Sequence, residues 1–88
     1  MEAIAITGTG VVSSLGSNVP KFHRNVMSGA TGIGVAPWYD PARDPRKIFW
    51  GVVTDFVPDD WMSPKVAEGS DMFAQFAIAA ARQAMQQA

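Results

Sequence analysis

The last eighteen residues, Asp71 to Ala88, set the hardest condition on any fold this chain can adopt. Asp71 follows Ser70 as a helix start, and the run contains neither proline nor glycine, which predicts a helix from about Asp71 to the chain end. At roughly 100° per residue, Phe73, Phe76, Ala77, Ala80 and Ala84 form one apolar stripe. Ala74, Ile78, Ala81 and Met85 widen it past half the circumference. Gln75, Arg82, Gln83 and Gln86 mark the only clear wet side. A helix that apolar has to be sandwiched between neighbours, and its alanines suit close backbone approach.

The rest of the chain supplies few neighbours. Residues 2–7 are short, apolar and β-branched at Ile4, Ile6 and Thr7, which predicts a buried strand. Gly8, Gly10, Ser13, Ser14 and Gly16 then make a loop. Ser17 or Asn18 caps a helix that tolerates Pro20 in its first turn and runs to about Ser28, stopping at Gly29. Val19, Phe22 and Val26 share its apolar face, with Lys21, Arg24, Asn25 and Ser28 opposite. Residues 29–47 hold three glycines and three prolines without periodicity, and read as a long irregular connection packed by Trp38 and Tyr39. Ile48–Val53 is the second strand candidate. Ser63-Pro64 starts a short helix ending near Gly69. Two strands and one surface helix cannot enclose the last helix, and a two-stranded sheet is marginal by itself. The expected class is therefore α/β, and the expected state a truncated piece of a larger unit.

Composition narrows the chemistry. The chain has 88 residues, 48% apolar and 17% charged, which excludes a disordered tail. A net charge of −1 with scattered Lys and Arg gives no pull toward nucleic acid. No apolar run approaches the roughly 18 residues of a membrane span. The start, Met1-Glu2, lacks the basic region of a secretory signal, so a cytoplasmic setting is expected. The chain has no cysteine and one histidine, His23, which removes thiolate chemistry and any mechanism needing two imidazoles.

The glycine-rich stretch at residues 6–16 invites a nucleotide reading, and its spacing refuses one. A dinucleotide fingerprint places a third glycine inside the next helix, whereas Gly8 and Gly10 are followed by Ser13 and a helix near residue 18. The first acidic residue beyond is Asp40, and no Gly-Lys pair follows. The plainer expectation is a tight strand exit that needs glycine conformations. His23 has no second ligand at helical spacing and reads as a packed or half-exposed side chain. Asp40, Asp44, Asp55, Asp59 and Asp60 lack calcium-loop order and read as turn and capping residues. Asp71 is favourable at a helix start. Trp38, Tyr39, Phe49, Trp50, Phe56 and Trp61 read as core or loop packing, because no basic band accompanies them. No metal or cofactor motif is present.

The order of these pieces resembles one family. Ile-Thr-Gly-Thr-Gly-Val-Val-Ser-Ser-Leu-Gly (6–16) is similar to the opening strand and loop of β-ketoacyl-acyl carrier protein synthases of type I/II, in the thiolase superfamily. Val19-Pro20-Lys21-Phe22 followed by Gly29-Ala30-Thr31-Gly32-Ile33 resembles their first helix and its exit. Gly51–Phe56 is similar to their next strand, and Asp71–Ala77 to the start of their long helix. The resemblance is collinear over almost the whole chain.

It implies an α/β, thiolase-like fold, of which residues 1–88 would be an incomplete N-terminal half: about two strands, two main helices and a long loop. It implies a homodimeric acyltransferase that moves an acyl group from carrier protein to a cysteine and condenses it with malonyl carrier protein as carbon dioxide leaves. The cysteine and two histidines of the family lie beyond the matching stretch, so this piece is expected to be non-catalytic. Ser14 stands where proline is usual, and His23 where tryptophan is common. Residues 65–69, Lys-Val-Ala-Glu-Gly, fall where many bacterial relatives carry basic residues that dock the acidic carrier. Only Lys65 keeps that character, and Glu68 would repel an acidic partner, weakening docking. The alternatives are a non-catalytic, chain-length-factor-like partner of a ketosynthase heterodimer, and a stand-alone α/β interaction module.

Overall fold

The computed structural model describes residues 2–35, 38–40, 42–43 and 49–88. Asp44 and Ile48, named above, lie outside the described residues. Helix α1, Val19–Met27, begins where a polar cap meets proline: Asn18 Oδ1 accepts from the Lys21 amide at 2.9 Å, and Pro20 occupies the first turn. Its end falls at Ser28, with Gly29 at φ 75, a left-handed exit that favours glycine. Strand β1, Ile33–Val35, pairs antiparallel with β2, Phe49–Gly51, in the register Ile33 to Gly51 and Val35 to Phe49. A 3-10 turn at Pro58–Asp60 precedes α2, Pro64–Glu68, which Ser63 caps at the Val66 amide. Helix α3, Met72–Gln87, is capped by Asp71 at the Ala74 amide.

Three expectations need correction. Residues 2–7 form no strand and pair with none among the described residues, and Ile4 and Ile6 stand 94% and 84% exposed. An apolar, β-branched run favours a strand; a ladder also needs a partner edge, and none lies beside it among the described residues. The second strand does form, at Phe49–Gly51, within the expected Ile48–Val53. Its partner β1 lies inside the stretch read as irregular, where Gly32 and Gly34 hid the short β-branched pair Ile33 and Val35.

The third correction concerns α3. Gln75 and Gln83, assigned to the wet side, are buried together with Ala79. Phe73 and Met85, assigned to the apolar stripe, are 76% and 75% exposed. Phe76, Ala80 and Ala84 are half-buried as expected, and Phe76 meets Phe56 edge-to-face at 4.9 Å. Among the described residues only Met62 and Ala79 are buried apolar side chains. The radius of gyration is 16.3 Å, well above the ~12 Å of a compact chain this long. The described residues form an open α/β unit of three helices and a two-stranded sheet.

Candidate functional site

The stretch from Gly8 to Val11 runs antiparallel to α3, and after the turn at Ser13–Gly16 the chain returns to it at Ser17; two kinds of residue make that docking possible. Glycine provides the approach. A Cβ on Gly8 would stand 1.9 Å from the carbonyl oxygen of Ala84, and one on Gly10 would stand 1.9 Å from that of Ala80. Neither glycine has positive φ. The sequence-based reason for them, special conformation, is therefore replaced by contact of the loop backbone with the helix backbone. Ala80 and Ala84 lie about one turn apart, so Gly10 and Gly8 meet successive turns of α3.

Glutamine provides the hydrogen bonds. Backbone that leaves a sheet still has to satisfy its N–H and C=O groups. Gln83 Oε1 accepts from the Val11 amide at 3.2 Å, and its Nε2 donates to Val11 O at 3.2 Å and Ser17 O at 2.8 Å. One turn on, Gln87 Oε1 accepts from the Thr9 amide at 2.8 Å. A side-chain amide carries the same donor and acceptor as a peptide group, so these glutamines act as a partner strand. Gln75 serves the other end of the helix, donating to Ala67 O at 2.9 Å and Ser70 O at 3.2 Å across the α2–α3 turn.

Where the loop enters α1, three polar side chains converge. The Ser17 hydroxyl donates to Asp55 Oδ1 at 2.6 Å, and the Ser17 amide donates to Oδ2 at 3.2 Å. Lys21 Nζ lies 2.9 Å from Asp55 Oδ2. The Ser17 hydroxyl bond, followed by the Lys21 contact, lowers the Asp55 pKa from 3.8 to about 2. A carboxylate held ionised that firmly is a poor proton acceptor near neutrality. Ser17 is buried, and its proton is committed to that carboxylate. The cluster is a clamp joining the loop, α1 and the segment after β2. It corrects the expectation that Asp55 serves a turn or cap. A charged pair 34 residues apart has no periodic signal in the sequence.

The other sequence-derived candidates lie elsewhere. Lys65 and Glu68 are both exposed on α2, beside Asp59 and Asp60 of the 3-10 turn, which are also exposed. His23 is exposed on α1. Asp40 does hold a turn, accepting from the Ala42 amide at 3.0 Å, with Arg43 3.9 Å from its carboxylate. Trp38 packs edge-to-face on Trp50 at 5.9 Å. A cleft at the base of the hairpin is lined by Ser14, Thr31, Trp50 and Thr54 among others, and offers hydroxyls without a titratable group among the described residues. No helix among the described residues is long and apolar enough to cross a membrane.

Comparison with known proteins matches residues 1–88 to the beta-ketoacyl synthase N-terminal domain. The 3-oxoacyl-[acyl-carrier-protein] synthase 2 of a Synechocystis species is 32% identical over 87 residues, 99% of this chain and 21% of that protein. The synthase 2 of Coxiella burnetii is 36% identical over 81 residues, 92% of this chain and 19% of its own length. The chloroplastic synthase II of Arabidopsis thaliana is 29% identical over 82 residues, 93% of this chain and 15% of that protein. The chain thus spans about a fifth or less of the relatives it matches.

Proposed function

The chain belongs to the beta-ketoacyl synthase family, as its N-terminal domain, and from that premise we propose that it is the N-terminal part of a 3-oxoacyl-[acyl-carrier-protein] synthase. The observation that carries this reading is the match over all of residues 1–88, against relatives of about five times the length. The whole protein would have a thiolase-like fold and work in fatty acid or polyketide synthesis, as a cytoplasmic homodimer. An acyl group passes from its carrier thioester to a cysteine thiolate. Malonyl carrier protein then loses carbon dioxide, and the carbanion left behind attacks the acyl thioester, forming the carbon–carbon bond and releasing the cysteine thiolate. The cysteine and the two histidines would come from later sequence. Residues 1–88 would contribute scaffold, not catalysis: α3 and the loop it holds position the domain, and Lys65 is a carrier-docking residue.

The test is the coding sequence beyond codon 88, followed by a condensation assay on the encoded protein. A continuation bearing a cysteine, whose replacement by alanine abolishes condensation, is expected. A stop codon with no such continuation overturns the proposal. The exposed Glu68, one turn from Lys65, favours a second reading as the non-catalytic partner of a ketosynthase heterodimer. Another residue at the downstream nucleophile position would decide for that reading.

A further inference from the structure

We draw no further inference here: the strongest candidate, the apolar face that Ile33, Val35 and Phe49 expose on the β1–β2 hairpin, carries nothing because nothing in the structure shows what covers it.

Discussion

Gln83 and Ser17, 66 positions apart, are joined by a buried 2.8 Å hydrogen bond from a side-chain amide to a backbone carbonyl. The same amide group serves both polar atoms of Val11. Replacing Gln83 by leucine would strand those buried groups, at a cost of about 2–3 kcal/mol. Urea unfolding should show that loss. Gln83→Glu should be worse near neutral pH than near pH ~4, because an ionised carboxylate would face two carbonyl oxygens. Its folded pKa would be raised, so stability would fall as pH rises. A Gln83→Leu protein as stable as the parent would mean that the loop is not held through this residue.

Gly10 and Gly8 make a sharper steric test. The atoms a new Cβ would strike are helix carbonyls at 1.9 Å, which cannot rotate away like a side chain. Gly10→Ala should cost about 1–3 kcal/mol or more by forcing the loop off α3. Gly29→Ala meets open space and carries only the strain of its φ of 75, about 1 kcal/mol. The ranking of the two melting temperatures is the measurement. Equal losses would place the glycine requirement in conformation after all.

The Ser17–Asp55–Lys21 clamp predicts an acid-sensitive part of the stability. Asp55 has a folded pKa of about 2 against 3.8 unperturbed. Because the folded value is the lower, the contribution is complete above pH ~4–5 and lost as pH falls through about 2. A shift of this size corresponds to roughly 2 kcal/mol at most, reduced because Lys21 is half-exposed and its charge is screened. Asp55→Asn should lower stability at pH ~7 and flatten its slope between pH ~4 and ~2. An unchanged acid slope would show that Asp55 is not the group responsible.

Local chemistry made the helices readable: Asn18, Ser63 and Asp71 all cap as polar residues ahead of helical runs should. The buried face of α3 was not readable the same way. Hydrophobic patterning assumes that a helix packs on side chains, and so assigns glutamine to water. Here the neighbour is bare backbone, so Gln75 and Gln83 turn inward while Phe73 turns out. The same substitution of backbone for side chain explains Gly8 and Gly10, whose meaning depends on a helix some 70 residues later. Residues 2–7 fail for the converse reason, since strand propensity cannot supply an edge to pair with.

Apolar exposure predicts how the 88-residue chain behaves alone. Ile4, Ile6, Phe49, Trp50 and Phe73 are all more than half exposed, and the two-stranded sheet presents open edges. Produced in isolation, it should self-associate on size-exclusion chromatography and show no cooperative melt, so the stability changes of the Gln83, Gly10, Gly29 and Asp55 variants are to be read in the longer protein of the proposed function. A monodisperse, cooperatively melting chain would instead support a stand-alone module.

The charge on α2 bears on carrier recognition within the proposed enzyme. Lys65 is the one cation of α2, while Glu68 on the same helix and Asp59 and Asp60 on the neighbouring 3-10 turn are all exposed. An acidic carrier approaching this face meets net repulsion, which acts mainly on association rate and weakens with salt. Glu68→Lys should lower the KM for acyl carrier protein roughly two- to fivefold at low ionic strength, with kcat unchanged, and Lys65→Ala should raise it by a similar factor. Both effects should shrink above ~0.3 M salt, where screening shortens the reach of a surface charge. If neither variant moves KM, the carrier docks on another face and Lys65 is only a solvated helix residue.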